Sequence, residues 1–368
     1  MRQPMLLGCV ALSLSVGLMA CSSSTTLPDA GSGSLLPALS GYTVSVWADG
    51  GSLGTNPDNI DFDGTHVWIT YQNNSNVAGG PNEGVSTVVE YSSDGQTVIN
   101  TYSVAGHCDG MRWDATTKLI WATSNEDANP ALYSIDPTAA AASAVTTYTL
   151  KFADGTSNPP HGGGLDDLWF LNGKMFVTGS NPALNAQGVN TGPAIYTVTI
   201  AGTTATFAAA LMGNASGVND IASGNTNYTL NEIDPDSLNT DGAGDLVLID
   251  QAGQDLLVIS NPGTATQAVT RYATGSQLDD TVWIPTEASG VLLVADATKN
   301  TIWKVSGPFT AGEVFTELPN DSGVAGVVGL LDLNNADVSA STGFGYAVID
   351  PVAIGFGKPT GLLFVATP

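Results

Sequence analysis

The stretch "DGMRWDATTKLIWATSN", Asp109–Asn125, carries the pattern that decides the fold. An aspartate opens it and a short apolar-alternating run follows. A polar turn interrupts, and a second apolar run ends on small polar residues. Alternation of this kind, split by turn residues, marks a β-hairpin. The same order returns in "DNIDFDGTHVWITYQ" (58–72), "DDLWFLNGKMFVTGSN" (166–181), "DSLNTDGAGDLVLIDQ" (236–251) and "DDTVWIPTEASGVLLVADATKN" (279–300). The spacing, roughly 45–70 residues, is that of propeller blades with variable loops.

Each unit runs on into further strands. "STVVEYSSDGQTVINTYSV" follows the first and "AIYTVTIAGTTATFAAAL" the third. "TIWKVSGPF" and "GEVFTEL" follow the fifth. Val, Thr, Ile and Tyr dominate these runs, as expected of strands. The only helix-tolerant stretch, "PTAAAASA" (137–144), reads as a loop. In the last unit "VVGLLDL", "AVIDPVAI" and "GLLFVA" supply strands, and Pro359-Thr360-Gly361 stands where the aspartate would be. "YTVSVWADG" (42–50) precedes the first blade and is expected to complete the last one, closing the ring and removing exposed sheet edges. The chain is therefore expected to be all-β. It reads as a β-propeller of six four-stranded blades, with five and seven as the neighbouring alternatives.

Composition agrees. Of 368 residues, 43 are Gly and 19 Pro, while charged residues make up only 12%, too apolar for disorder and too rich in turn formers for a helical protein. The formal net charge of -25 repels phosphates and anionic lipid heads, so nucleic acid is not an expected partner. The same charge attracts cations, or serves only to keep an exported chain soluble.

The first twenty residues read as a leader. Arg2 gives a positive start and Met5 to Ala20 an apolar run too short for a comfortable span. Leu18-Met19-Ala20-Cys21 resembles the bacterial lipobox, whose cysteine becomes the lipidated N-terminus. The expected division is a signal peptide (1–20), a lipid-anchored linker (21–40) and one propeller domain (41–368). That chain would be a monomer, held to the cell envelope outside the cytoplasm by the lipid on Cys21. Ser22 is compatible with outer-membrane sorting by resemblance to the rule of that class. With Cys9 in the leader and Cys21 lipidated, Cys108 stands alone, and no internal disulfide is expected. Cys108 reads as a buried filler or, beside His107, as a nucleophile.

The Asp–strand–Gly–strand repeat resembles the six-bladed calcium-dependent propellers and NHL-repeat proteins. That superfamily includes the senescence-marker-protein/gluconolactonase family and the paraoxonases. The resemblance covers roughly residues 42–366. It implies a Ca²⁺ ion in the central channel, held by Asp, Asn and Glu from the innermost strands, and hydrolysis of lactones or phosphoesters. Gly217-Val218-Asn219-Asp220-Ile221 is similar to a metal-ligand segment of paraoxonases, and Asp279-Asp280 to an acidic-amide pair there. The first blade has no matching Glu at its start, and Thr360 sits where a final acid would be. The superfamily also has non-catalytic members.

Equivalent residues of successive blades meet at one mouth of a propeller. The expected ring is Asp58 or Asn59, Asp109, Asp167, Asp236 and Asp280. Gly162 to Gly164 would let the backbone turn into the channel. Like charges in such a ring repel by about 4 kcal/mol per pair at ~4 Å and an effective dielectric near 20. Protons or a hard cation with oxygen ligands would relieve them. Alternatively, each aspartate bonds the backbone of its own turn and recurs because the blade recurs. With three histidines and one mature cysteine, a zinc or copper cluster is not expected. His161 and His107 precede inner strands and are candidate general bases; in the catalytic reading His161 or Asp167 handles the proton. His66, in a hairpin turn, reads as exposed and idle. Trp68, Trp113, Trp121, Trp169, Trp283 and Trp303 read mainly as packing between blades.

Two functions remain from the sequence. One is a non-catalytic propeller that binds a small molecule or protein at the channel mouth or on loops such as 181–193 and 213–235. The other is a Ca²⁺-dependent lactone or ester hydrolase.

Overall fold

The computed structural model describes residues 34–80, 84–286, 289–319, 326–338 and 345–366. The leader and the lipidation candidate Cys21 lie outside the described residues. Six antiparallel sheets form a closed ring of blades. Their innermost strands are Pro57–Phe62, Met111–Asp114, Leu168–Leu171, Pro235–Thr240, Thr281–Trp283 and Pro359–Ala366. Each inner strand contacts the next, and the sixth returns to the first. The only helix among the described residues is one turn, Ala141–Ala144, in the stretch expected to be a loop.

Six apolar clusters, one between each pair of neighbouring blades, hold the ring. Each arises because alternate residues of a strand face opposite sides of the blade, and both sides are covered. His66–Tyr71 shows the result: Val67 and Ile69 pack toward blade six, whereas Trp68 packs toward blade two. Trp68 and Ile69 are fully buried, each contributing about 1.5–3 kcal/mol or more of transfer free energy. The ring alone carries the fold, since the single described cysteine, Cys108, is free and buried. Cys108 packs in the cluster between blades one and two, and burial pushes its thiol up, which suits a filler rather than a thiolate.

The ring closes differently from the sequence reading. Thr43–Asp49 does join the last blade, as its outer strand, pairing with Thr301–Ser306. The middle of that blade, however, is the hairpin of Gly290–Asp296 and Thr301–Ser306, which the repeat pattern assigns to blade five. Blade five instead runs Thr281–Trp283, Val314–Leu318, Gly326–Val338, Gly345–Phe356. The last two blades are thus interleaved. Strand length explains the exchange. Thr281–Trp283 spans three residues before Pro285, which has no N–H to give a ladder. Gly290–Asp296 finds its full-length partner in the eight-residue Pro359–Ala366. The N-terminal strand, the hairpin and the C-terminal strand therefore clasp one blade from three distant parts of the chain.

Two further differences bear on boundaries. The end of the expected linker packs on the propeller: Leu36 and Ala38 enter the core, and Leu39 N donates to Val352 O at 2.7 Å. The segment 213–235, expected as a loop, carries the hairpin Ser216–Asp220/Asn225–Thr229, which extends the outer edge of blade four.

Candidate functional site

Inner strands begin at one face of the ring and run through the channel to the other. At their starting face, Asp58, Asp109, Asp166, Asp236 and Asp279, one from each of five blades, line a cavity of about 300 Å³. Thr360 holds the sixth place, donating to Pro57 O at 3.1 Å. Glu126, His107, Gln72 and Gln251 reach the same cavity from the ends of second strands or nearby turns. Lys358 is its single cationic side chain among the described residues.

The ring contains Asp58, Asp109 and Asp236 as expected. It contains Asp166 and Asp279 in place of Asp167 and Asp280, one residue later. That step of one moves a side chain to the other face of a strand. Asp167 and Asp280 lie in the layer beneath, both buried. There Arg112 crosses the channel. Its Nη2 donates to Asp167 Oδ2 at 2.7 Å and its Nη1 to Asn59 Oδ1 at 2.5 Å. Its guanidinium also lies 5.0 Å from the ring centre of Trp169. Burial works against the charge on Arg112, yet Asp167, Asp280 and Asp61 around it outweigh burial and hold its pKa above the ordinary value. Asp167 Oδ2 also accepts from Leu238 N at 2.9 Å, and Asp280 Oδ2 accepts from Leu362 N at 3.1 Å. Each thereby ties its own inner strand to the next blade. Gly110 fills this layer with no side chain, because a Cβ there would collide with the backbone of Asp166 and Asp167.

The mouth is electrostatically unlike the layer below. Burial, and then the neighbouring carboxylates, push Asp58, Asp109, Asp166 and Asp236 well above the usual carboxylate range. Burial and then Asp234 and Asp127 push Glu126 up to about 7, against the pull of Lys358. After burial, Glu126 is the strongest influence on Asp166, and its negative charge works against ionisation there. Asp109 Oδ1 accepts from Gln72 Nε2 at 2.9 Å, but its Oδ2 is buried without a partner. Orphaned carboxylate oxygen, mutual repulsion and an oxygen-rich donor set fit a hard divalent cation of the Ca²⁺ type.

His107 stands at the rim. Its Nδ1 lies 3.0 Å from Ser75 O, an acceptor only, so Nδ1 carries the proton there. Its Nε2 is left facing Asp109 Oδ1 at 3.3 Å. Burial lowers the pKa of His107, so the imidazole is neutral near pH 7 and presents a lone pair toward the cavity. A ring nitrogen of His107, an Asp109 oxygen and a Glu126 oxygen all lie within 4.8 Å of one another.

The other candidates lie elsewhere. His161 is outside the cavity, stacked on Tyr196 with ring centres 6.0 Å apart. The expectation for the glycines holds locally: Gly162 and Gly163 take φ of 77° and 71°, which β-carbon-bearing residues avoid. Asn219 is exposed on the extra hairpin of blade four, far from the ring's lining. Its neighbour Asp220 is bound to Arg271 at 2.7 Å, which also contacts Asp255 and anchors that hairpin. His66 is half-buried rather than idle, with Nδ1 3.0 Å from Glu90 and 3.4 Å from Asp63.

Sequence reasoning does not single out Glu126, Gln72, Gln251 or Lys358. A signal for the correct aspartates does exist. In Asp58-Asn59-Ile60, Asp109-Gly110-Met111 and Asp236-Ser237-Leu238 the mouth residue stands two before a buried apolar residue. The same count back from Leu168 selects Asp166.

No family model and no curated protein matches this chain. Solved structures resemble it distantly. Virginiamycin B lyase from Staphylococcus aureus is 11% identical, over 72% of this chain and 99% of that one, with a TM-score of 0.42. A protein from Bacteroides fragilis provisionally named a 6-phosphogluconolactonase is 14% identical, over 82% and 85%, with a TM-score of 0.41. Hydrazine synthase from Kuenenia stuttgartiensis is 12% identical, over 76% and 68%, with a TM-score of 0.34. No activity, substrate or metal of this chain follows from likeness at that level.

Proposed function

We propose that this chain is an envelope-anchored propeller that binds a hard divalent cation, Ca²⁺, in the acid ring and an oxygen-bearing ligand over it. One observation carries the reading: five aspartates from five blades, with Glu126, share one cavity in which Lys358 is the only cationic side chain among the described residues. Asp58, Asp109, Asp166, Asp236 and Asp279 would hold the ion. When bound, it would supply positive charge to a ligand carbonyl or carboxylate. Gln72 and Gln251 would offer amide groups to the ligand at the wall. Lys358 would favour an anionic or carbonyl-bearing one. Export and lipid attachment at Cys21 are proposed from the Leu18–Cys21 motif alone.

Thermal unfolding of the mature chain tests the reading, in chelator and with added Ca²⁺. Binding at a hundredfold excess over Kd stabilises by about 2.7 kcal/mol. The melting temperature should rise with Ca²⁺ in the natural chain and much less in Asp236→Asn. An unchanged melting temperature in the natural chain would sink the proposal.

A second reading, hydrolysis of a lactone or ester, is favoured by His107. A neutral imidazole with its lone pair toward the cavity is suited to take a proton from attacking water. A lactone and ester panel decides between the two. Turnover abolished by chelator and by His107→Gln supports hydrolysis, and absence of turnover with Ca²⁺ binding intact leaves a binding protein.

A further inference from the structure

The opposite face of the ring carries a different kind of cavity. Between the far ends of blades two and three lies a cleft of about 750 Å³, within the range of small-molecule sites. Its walls are aromatic: Trp113, Trp121, Tyr148 and Phe170. The far mouth of the channel adjoins it, shares Trp113 and Phe170, and adds Trp169. Trp113, Tyr148 and Phe170 are only half-buried, so part of each ring remains available. The rings are held in place. Trp121 packs 5.0 Å from Tyr148 and 6.4 Å from Phe170, and Lys118 Nζ sits 5.7 Å from the Trp113 ring.

Trp121 supplies a second, independent observation. It is 4% exposed, and its indole N–H is buried without a hydrogen-bond partner. A buried donor left unpaired is costly, and buried indole N–H groups usually find an acceptor. The cleft is therefore lined by flat apolar faces, one of them the ring that bears this unpaired donor. Thr116, Thr117 and Thr199 add hydroxyls around it.

From these we infer that the cleft is a binding site for a neutral pyranose saccharide. A pyranose has one apolar C–H face to lie on an aromatic ring and equatorial hydroxyls to accept from an indole N–H. The charges of the cleft argue for a neutral ligand. Asp114 already accepts from Thr116 N at 2.9 Å and from Thr117 Oγ1 at 2.6 Å, so it offers little to a cation. Lys118 and Lys174 at the rim oppose a cation, and the net charge of -25 opposes an anion. This site does not depend on the acid ring, which lies at the other end of the channel.

The test is a titration of the mature chain with malto-, cello- and N-acetylchito-oligosaccharides, read by tryptophan fluorescence and calorimetry. At least one series should bind saturably, equally well in chelator and in Ca²⁺. Trp113→Ala should weaken that binding by about tenfold or more, the equivalent of about 1.4 kcal/mol. Thr199→Arg should block the cleft from an exposed strand position, leaving the melting temperature unchanged. Trp121→Phe, which keeps the packed ring but removes the donor, should weaken binding while leaving the fold intact. The inference is overturned if none of the three series binds. It is equally overturned if binding survives both Trp113→Ala and Thr199→Arg.

Discussion

Asp166 turns its carboxyl into the mouth cavity among Asp58, Asp109 and Asp236, whereas Asp167, the next residue, turns its own onto Arg112 and the Leu238 amide. The two share residue type and burial, and both lie in the segment that leads into Leu168–Leu171. They differ in what surrounds the charge. Asp167 has a guanidinium and a backbone donor, so its negative charge is answered from within the chain. Asp166 has other carboxyls as neighbours, so its charge is answered only by a proton or by something from solution. Asp279 and Asp280 in blade five divide between the same two layers, the first lining the cavity and the second accepting from Leu362 N. A repeated aspartate in a propeller is therefore two residues in one guise. The layer it occupies decides whether it builds the ring or serves at its mouth.

The largest expected effect breaks the lower layer. Asp167→Ala leaves Arg112 buried without its carboxylate partner and Leu238 N without its acceptor. Removal of one partner from a buried ion pair costs about 3–5 kcal/mol. The melting temperature should fall by many degrees, by the same amount in chelator and in Ca²⁺. A variant that melts normally but no longer responds to Ca²⁺ would move Asp167 into the upper layer.

Asp166→Asn should behave in the opposite sense. It removes one repelling charge and one cation ligand. In chelator near pH 8 the variant should be at least as stable as the natural chain. The rise with Ca²⁺, about 2.7 kcal/mol at a hundredfold excess over Kd, should largely disappear. Destabilisation in chelator comparable to that of Asp167→Ala would show that both aspartates are scaffold.

A smaller effect is expected from pH alone. The mouth acids titrate higher in the folded chain than in the unfolded one, so between these values the folded chain holds extra protons. Stability then falls as pH rises from the ordinary carboxylate range, about 4, through about 7, where Glu126 titrates. In chelator, melting temperatures should drop by several degrees between about pH 5 and about pH 8. Ca²⁺ should flatten that slope by replacing protons. Calorimetry in buffers of different ionisation enthalpy should detect protons released as the ion binds. A flat profile in chelator would mean that the mouth acids are already compensated.

Much of this architecture is legible in the order of the amino acids. The blade pattern is written locally, in apolar alternation broken by turn residues, and hairpins are local objects. Asp58, Asp109 and Asp236 can be placed at the mouth because each is followed by a residue that is not acidic. Where two aspartates stand together, the pattern leaves a choice of one residue, and only the count back from Leu168 settles it. Glu126 and Lys358 are invisible as site residues because each follows a strand end or precedes a strand, and only closure of the ring brings them together. The exchange of hairpins between the last two blades is equally hidden. Pro285 marks only where the first strand stops; the exchange itself rests on the pairing of Gly290–Asp296 with Pro359–Ala366, some seventy residues later.

Asn219 gives the smallest expected effect and the sharpest check on reading sites from resemblance. Its segment, Val218-Asn219-Asp220, resembles a metal-ligand segment, yet it forms the outer hairpin of blade four. Asn219 pairs there with Thr270 and leaves its side chain exposed, while Asp220 is held by Arg271. An exposed edge position with no buried partner tolerates substitution within about 0.5 kcal/mol. Asn219→Ala should therefore melt with the natural chain, in chelator and in Ca²⁺ alike. Loss of the Ca²⁺ response in Asn219→Ala would mean that the ion binds at the edge of blade four. The acid ring would then be only a store of protons, and the contrast between Asp166 and Asp167 would have no bearing on function.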